Sequence, residues 1–298
     1  MTRRLLSRVL VRSTLALAFM VAPGLAPAAS AAKLALDVYT AAPEAFGVTS
    51  TLIYGPTEAV LVDAQFTNGD AQKLADRIAS VAPGRKLKAI VITHPHPDHY
   101  FGTAVLHERF PGTPILMSAA GIADWKTTVA GKLAYWGGAL GAAVPKAVPT
   151  PEPLPEALTV DGERLEIVSG LQGDVLAPCN SYVWVPSLDA AIVGDLAYAG
   201  THVWLAESNE GTRAGWKKSL QAIAARHPKV VVAGHKASPQ TPDAPAALAA
   251  VGAYIDTFES AKAQAKDAAG LVAAMKKAYP DAALEPVLTI AADAAFPH

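Results

Sequence analysis

The sequence predicts an α+β fold, because stretches with the periodicity of strands and of helices alternate along the chain. Short apolar runs of strand-like composition come first, at residues 34–39, 50–54 and 59–62. Residues 68–81 carry apolar side chains at helical spacing and predict the first helix. Residues 87–93 then form a nearly unbroken apolar run, which is typical of a strand buried on both faces of a mixed sheet.

The alternation continues to the end of the chain. A second helix-like stretch carries Trp125, Tyr135 and Trp136, and residues 137–155, rich in Gly, Ala and Pro, are predicted to form a loop. The tail from Ala244 onward is Ala-rich and is predicted to be helical. The other predicted elements are helices at residues 102–110 and 214–226 and strands at residues 114–117, 157–160, 164–168, 181–185, 190–193 and 229–233.

Residues 1–31 are predicted to be a signal peptide, and residues 32–298 a single domain. Four arginines precede an apolar run at residues 15–21, and Ala29-Ser30-Ala31 has the small side chains of a cleavage site. The alternative, a membrane anchor, is disfavoured because the apolar run is far shorter than the roughly 20 residues that span a bilayer. Arg3 and Arg4, followed by two leucines, also resemble a twin-arginine export signal. We therefore expect a periplasmic or secreted protein with no stable membrane insertion after signal removal.

The net charge disfavours nucleic-acid binding, and the cysteine content excludes stabilisation by an internal disulfide. Four of the 25 basic side chains lie in residues 1–31, which leaves 21 against 26 acidic ones and a formal net charge of −5. Nucleic acid is therefore not an expected partner. Cys179 is the only cysteine, so an internal disulfide is not possible in an oxidising compartment.

A cluster of metal-ligand side chains follows the apolar strand at residues 87–93. His94, His96, Asp98 and His99 place three imidazoles and a carboxylate within six positions. On an extended backbone His94 and His96 project to the same side, and Asp98 and His99 come from the turn that begins the next helix. The cluster predicts a site for one or two metal ions. The alternative is a surface His-rich loop with adventitious metal affinity.

Two later strands also end in glycine followed by a metal-ligand residue. The pairs Gly194-Asp195 and Gly234-His235 each follow an apolar run. In open α/β arrangements ligands collect beyond the carboxyl ends of strands, so these side chains are expected to lie close to the histidine cluster. The recurrence disfavours the surface-loop interpretation.

The His-x-His-x-Asp-His motif, the later Asp195 and the last His235 resemble those of the metallo-β-lactamase superfamily, over roughly residues 50–236. The resemblance implies a four-layer αββα sandwich, with two sheets packed face to face, helices outside and the metal ions at one edge. It also implies two metal sites that share a bridging carboxylate. In that pattern His94 and His96 bind the first ion, Asp98, His99 and His235 bind the second, and Asp195 bridges the two.

The chain departs from the family pattern at one ligand. The family usually supplies a third histidine to the first ion, whereas the matching stretch here is Leu-Gln-Gly-Asp at residues 171–174. Asp174 is the candidate replacement. The alternative is an ordinary turn carboxylate beside a weak or empty first site. A carboxylate in place of an imidazole makes manganese or iron more competitive, but zinc, at two ions per chain, is the first expectation.

The ligands and the resemblance together predict a metal-dependent hydrolase that acts on a small molecule. Water shared by two divalent ions loses a proton near neutral pH, and the resulting metal-bound hydroxide is the expected nucleophile; Asp98 is placed to orient it or to relay its proton. The substrate would be an ester, lactone, amide or phosphoester, among which the fold does not select. Two alternatives stay open: an iron-dependent sulfur or thiol dioxygenase of the same fold, and a non-catalytic periplasmic metal-binding protein.

Several other side chains are candidates for contact with the substrate or the ligands. Trp136 and Trp204 are expected near the mouth of the site, where they would suit an apolar or aromatic substrate, and His202 is a further candidate contact. Core packing is the alternative for the tryptophans, and a place at a strand end for His202. Asp63 either orients a ligand histidine or caps a strand end. Cys179 is expected to be a buried small residue.

Overall fold

The computed structural model describes residues 34–296 of the chain. The predicted signal peptide lies outside the described residues, so the division into a signal and one domain stays a prediction. Within residues 34–296 there are eleven strands and eight α-helices. The strands are β1 (Ala35–Thr40), β2 (Thr49–Tyr54), β3 (Glu58–Val62), β4 (Lys86–Ile92), β5 (Ile115–Met117), β6 (Glu152–Pro153), β7 (Ala157–Val160), β8 (Glu163–Leu171), β9 (Asn180–Val185), β10 (Ala190–Ala199) and β11 (Val230–Lys236). The helices are α1 (Asn68–Val81), α2 (Pro97–Tyr100), α3 (Thr103–Arg109), α4 (Ala119–Leu140), α5 (Glu210–Ala224), α6 (Ala246–Gln264), α7 (Ala268–Ala278) and α8 (Glu285–Ala295).

The strands form two mixed sheets. The first has the order β1-β2-β3-β4-β5-β6, with antiparallel pairing up to β3 and parallel pairing from β3 onward. The second has the order β11-β10-β9-β8-β7, in which β10 and β11 are parallel and the other neighbours are antiparallel. The parallel strands β4, β10 and β11 include the apolar runs that precede the predicted metal ligands.

The inner faces of the two sheets share one apolar core. Val60 and Val91 of the first sheet lie in the same buried cluster as Val183, Ile192 and Val232 of the second. In β4, Val91 faces this core, whereas its neighbours Ile90 and Ile92 belong to the cluster on the opposite face, as the two-residue period of a strand requires. The alternation explains why β4 is apolar at every position from Ala89 to Ile92.

Helices cover the outer face of each sheet. On the first sheet Ile90 packs in one cluster with Leu74 of α1, Leu106 of α3 and Trp125 of α4. On the second sheet the outer cluster includes side chains from all of the last four helices: Trp216 of α5, Val251 of α6, Leu271 of α7 and Leu288 of α8. The layers are therefore helix, sheet, sheet, helix, and the expected αββα sandwich is confirmed. No helix within residues 34–296 is both long and apolar enough to cross a bilayer.

The prediction of a loop at residues 137–155 is wrong at its start. Helix α4 continues to Leu140, because Leu133 and Trp136 pack against the outer core of the first sheet and this contact outweighs the weak helix propensity of the glycines that follow. The chain leaves the helix at Gly141, whose φ of 57° suits glycine. The extra length brings Trp136 over the first sheet.

Two strands are longer than their apolar runs. β10 was expected to end at residue 193 and β11 at residue 233, but parallel pairing continues to Tyr198 opposite His235 and Ala199 opposite Lys236. The register shifts on both sides of Gly194 show that β10 is irregular there. His235 consequently lies within β11 and is held by its pairing with Tyr198, whereas Asp195 lies in the irregular part of β10.

Candidate metal centre

The histidine motif adopts two backbone conformations. His94 and His96 follow β4, and His96 is extended (φ −85°, ψ 140°). Pro97 then begins the single turn of α2, a position where its missing N–H costs no hydrogen bond. Asp98 and His99 therefore project from a helical turn. All four side chains converge on one edge of the sandwich, as the motif predicted.

The first group of side chains consists of His94, His96, Asp174 and Asp195, whose candidate ligand atoms all lie within 4.8 Å of one another. Asp174 Oδ2 lies 2.8 Å from His96 Nδ1 and 3.6 Å from His94 Nε2. Asn180 donates from Nδ2 to Asp174 Oδ1 at 3.2 Å, which leaves Oδ2 turned toward the histidines. The structure thus brings Asp174 beside His94 and His96, and its role as the replacement for a third histidine stays a prediction.

The second group consists of Asp98, His99 and His235. Asp98 Oδ2 lies 3.4 Å from His235 Nε2 and 3.7 Å from His99 Nε2. Asp195 lies between the groups, since its Oδ1 is 3.0 Å from His99 Nε2 and its Oδ2 is 3.6 Å from His94 Nε2. Its position agrees with the bridging role that the resemblance implies.

Three buried atoms at the centre of this arrangement make no well-directed hydrogen bond among the described residues, although two of them lie within 3.0 Å of a ring nitrogen. They are His94 Nε2, Asp174 Oδ2 and Asp195 Oδ1. Leaving such atoms unpaired in the interior is costly unless a ligand satisfies them. His99 Nε2 and His235 Nε2 also face each other at 3.4 Å. Imidazole nitrogens and carboxylate oxygens are ligands of divalent transition metals, so these residues fit metal ions.

The ring nitrogens that face away from the centre are each held by a neighbour. Asp63 Oδ2 accepts from His99 Nδ1 at 2.8 Å, and Asp63 Oδ1 accepts from the backbone N–H of Thr93 at 2.9 Å. Thr93 Oγ1 lies 3.0 Å from His94 Nδ1, and His235 Nδ1 donates to the carbonyl oxygen of Phe46 at 2.7 Å. These contacts turn three Nε2 atoms toward the centre, a common arrangement around protein-bound metals.

Two further residues contact the candidate ligands and were missed from the sequence. Glu207 Oε2 lies 2.8 Å from His96 Nε2, and the Tyr198 hydroxyl donates to Asp195 Oδ2 at 2.6 Å. Glu207 lies in the segment between β10 and α5, where no motif distinguishes it. Tyr198 follows Asp195 by three residues, and only the extension of β10 brings it near.

The carboxylates perturb the protonation of the histidines. Burial lowers the pKa of His96, but Asp174 and then Glu207 outweigh that effect and raise the pKa to about 10. Burial, followed by the charge of His99, holds the pKa of His94 well below its usual value. Burial also raises the pKa of Asp174. The imidazoles therefore differ in proton affinity, and protons compete with a cation for this site.

Close approach between strands explains why a glycine precedes Asp195 and another precedes His235. Gly194 has a φ of 52°, and a Cβ there would lie 2.8 Å from the Cβ of Thr93. A Cβ on Gly234 would lie 2.6 Å from the carbonyl carbon of Gly194 and would overlap the Asp195 carboxylate. Contacts below 3.0 Å force backbone movement, so the two glycines allow β4, β10 and β11 to meet at the cluster.

A cavity of about 400 Å³ opens onto the candidate ligands His96, Asp98, Asp195 and His235. Trp136 and Trp204 line it, in the positions that the sequence suggested. His202 is not among the lining residues that the structure describes. Its Nδ1 lies 2.9 Å from the Tyr254 hydroxyl, and burial lowers its pKa. Cys179 is fully buried and belongs to neither group of candidate ligands.

The family model of the metallo-beta-lactamase superfamily matches residues 43–235. The chain belongs to this superfamily. The match spans both candidate ligand groups and ends at His235. No curated protein matches the chain.

Solved structures of superfamily proteins share the fold. A metallo-beta-lactamase family protein from Thermus thermophilus has a TM-score of 0.62 at 21% identity, over 87% of this chain and 91% of that one. A metallo-beta-lactamase from Pontibacter korlensis has a TM-score of 0.54 at 20% identity, over 75% of this chain and 99% of that one. A double mutant of a sec-alkyl sulfatase has a TM-score of 0.57 at 17% identity, over 83% of this chain and 47% of that one. At these identities the likeness shows the fold alone.

Proposed function

We propose that this superfamily member is a hydrolase that uses one or two divalent metal ions. The observation that carries the proposal is the convergence of buried ligand atoms that make no well-directed hydrogen bond, His94 Nε2, Asp174 Oδ2 and Asp195 Oδ1, beside a cavity large enough for a small molecule. In this proposal the ligands are His94, His96, Asp98, His99, Asp174, Asp195 and His235. Membership in a superfamily of mostly hydrolytic enzymes supports it.

When bound, divalent ions lower the pKa of a coordinated water and polarise a substrate oxygen. Asp98 borders the cavity, and its side chain is 14% exposed, whereas the Asp195 side chain is 2% exposed. Asp98 is therefore the carboxylate best placed to accept a proton from the attacking water and return it to a leaving group. Asp63 and the Phe46 carbonyl hold His99 and His235 in a single orientation throughout.

The expected metal is zinc, at two ions per chain, with manganese or iron as alternatives. Zinc accepts both imidazole and carboxylate ligands. Asp174 adds a hard oxygen ligand and a negative charge, which makes manganese and iron more competitive than they would be at three histidines. Elemental analysis of the purified mature protein identifies the metal and its stoichiometry.

The decisive experiment pairs that analysis with a panel of esters, lactones, β-lactams, amides and phosphotriesters. We expect metal-dependent turnover of at least one substrate. We also expect Asp98→Asn to lower this turnover about a hundredfold or more. Asp76→Asn is the matched control, because Asp76 is an exposed carboxylate on α1, and its activity should equal that of the wild type. Full metal loading without turnover of any substrate would favour the non-catalytic metal-binding alternative.

One observation favours a second candidate, an iron-dependent thiol or sulfur dioxygenase. His94, His96 and Asp174 supply two imidazoles and one carboxylate, the ligand set of many non-haem iron oxygenases. Asp195 adds a further carboxylate that the simplest form of that site lacks. Iron in the purified protein, together with oxygen uptake on a thiol substrate, would favour this candidate over the hydrolase.

The site of action is proposed to be the periplasm or the exterior of the cell. Support comes from the arginines, the apolar run and the small residues within residues 1–31. A small-molecule substrate fits the size of the cavity, and the acidic charge of residues 32–298 disfavours a nucleic acid.

A further inference from the structure

Two helices build the walls of the cavity beside the ion ligands. Tyr135 and Trp136 come from the last turns of α4, and Val287 and Ile290 come from α8. Helix α8 follows residues 43–235, the segment that the family model matches. One wall is therefore built by a part of the chain outside the matched segment, and this wall is where substrate preference can be set.

The wall on α4 is aromatic, and its Trp136 is packed against other rings, whereas Tyr135 is 69% exposed. Trp136 lies edge-on to Phe66, with ring centroids 4.9 Å apart, and edge-on to Phe46, with centroids 6.0 Å apart. Phe66 is fully buried in the outer core of the first sheet. Because these rings hold each other in place, an apolar ligand would meet a preformed surface and lose little affinity to side-chain ordering.

The wall on α8 is aliphatic and partly uncovered. Val287 is 6% exposed, but Ile290, one helical turn away, is 45% exposed and is among the few large apolar side chains exposed to this degree. Leu284 lines the same side just before the helix begins. An exposed apolar side chain at the rim of a cavity gains free energy when an apolar ligand covers it.

Few of the lining residues outside the candidate ion ligands carry a charge. Apart from the candidate ion ligands, Lys132 and Glu207 are the charged side chains that line the cavity within the described residues. Lys132 Nζ donates to the Pro95 carbonyl oxygen at 2.6 Å, and Glu207 pairs with His96. On the α8 wall, Leu284, Val287 and Ile290 offer no cation to a negatively charged group on the substrate.

We propose that the substrate is an uncharged carboxylic ester or lactone whose apolar acyl chain lies between the aromatic wall of α4 and the aliphatic wall of α8. The proposal rests on the hydrolase function proposed above. Water adds its oxygen to the acyl carbon, the acyl C–O bond breaks, and the alcohol oxygen leaves with a proton from that water. The volume of about 400 Å³ lies in the lower part of the range for small-molecule sites, so a chain of medium length is favoured.

The first test compares three 4-nitrophenyl esters on the metal-loaded protein: the acetate, the hexanoate, and a hexanoate with a terminal carboxylate. Each buried methylene is worth roughly a threefold to fourfold gain, so kcat/KM should rise about tenfold or more from acetate to hexanoate. The terminal carboxylate should remove most of that gain. Equal efficiency on all three esters would overturn the inference and leave the hydrolase function intact. Turnover of no ester, lactone or other panel substrate would overturn both.

The second test uses variants of the walls. Ile290→Asp places a charge at the rim and should lower the ratio of kcat/KM for the hexanoate to kcat/KM for the acetate about tenfold, with the metal content unchanged. Trp136→Ala should do the same from the opposite wall. Leu140→Asp is the matched control, because Leu140 is a 40% exposed apolar residue of α4 that is not among the lining residues. Unchanged chain-length preference in folded Ile290→Asp protein would contradict the proposed acyl site.

Discussion

The imidazole of His96 lies between two carboxylates, with Asp174 Oδ2 2.8 Å from Nδ1 and Glu207 Oε2 2.8 Å from Nε2. When a metal ion occupies the side of Nδ1, the Nε2–H can donate to Glu207. This hydrogen bond holds the ring in one orientation and makes Nδ1 more basic. The contact links the metal centre to the segment between β10 and α5.

Glu207→Gln should therefore weaken metal binding at the first site about tenfold to a hundredfold, the usual effect of removing a carboxylate that supports a ligand histidine. Competition with a chromophoric chelator measures this change independently of catalysis. Glu210→Gln is a suitable control, since Glu210 is exposed at the start of α5 and contacts no candidate ligand. Because the Glu207 side chain is 46% exposed, unchanged affinity would mean that solvent screens the pair and that it has no positioning role.

Asp174→Ala should lower the metal content toward one ion per chain. The change removes a ligand from the first group and leaves Asp98, His99 and His235 in place. Asp174→His tests the comparison with the family pattern, because an imidazole at this position should restore binding and shift preference toward zinc. Elemental analysis after dialysis against limiting chelator measures both effects. Two ions per chain in Asp174→Ala would rule out this residue as a ligand.

Gly234→Ala should destabilise the protein and reduce its metal content. The new Cβ would overlap the Asp195 carboxylate and approach the carbonyl carbon of Gly194, and overpacking of this kind costs about 1–3 kcal/mol. Gly252→Ala in α6 is the contrasting control, since a Cβ there meets no atom within 4 Å. It should raise stability by about 0.5–1 kcal/mol. Chemical denaturation should show a free energy of unfolding below that of the wild type for Gly234→Ala and above it for Gly252→Ala.

Cys179 should resist thiol reagents in the native protein. Its side chain is fully buried, and burial followed by the charge of Asp174 raises the pKa of the thiol to about 12. The reactive thiolate is therefore scarce at about pH 8 in the folded state and far more abundant in the unfolded chain, whose thiol has a lower pKa. Titration with a chromogenic disulfide should detect one thiol per chain after denaturation and almost none before. Rapid reaction of the folded protein would contradict this environment.

Replacement of Arg3 and Arg4 by lysine tests the export prediction. If the pair acts as a twin-arginine signal, the protein should accumulate in the cytoplasm, because that pathway reads the arginines themselves. Fractionation followed by immunoblotting measures the distribution. Normal export of the double variant would remove the twin-arginine hypothesis and leave a general secretory signal.

Features of the fold that depend only on neighbouring residues could be predicted from the sequence. Helix α1 has the predicted bounds, and its start is marked by Thr67, whose side chain accepts from the backbone N–H of Asp70. Both signals lie within one or two turns of the chain. The end of α4 is different, because packing of Leu133 and Trp136 against a distant sheet keeps the helix beyond the residue at which its composition changes.

The sequence by itself determined which side chains form the candidate metal cluster. Residue type and spacing carry that information in the His94 to His99 motif and in the glycine that precedes Asp195 and His235. Tertiary structure alone decided that Glu207 supports His96, that Tyr198 donates to Asp195, and that α8 closes one side of the cavity. These contacts join residues that are remote in the chain or brought near by an irregular strand. No local pattern encodes them, because they arise only when the two sheets and their helices pack together.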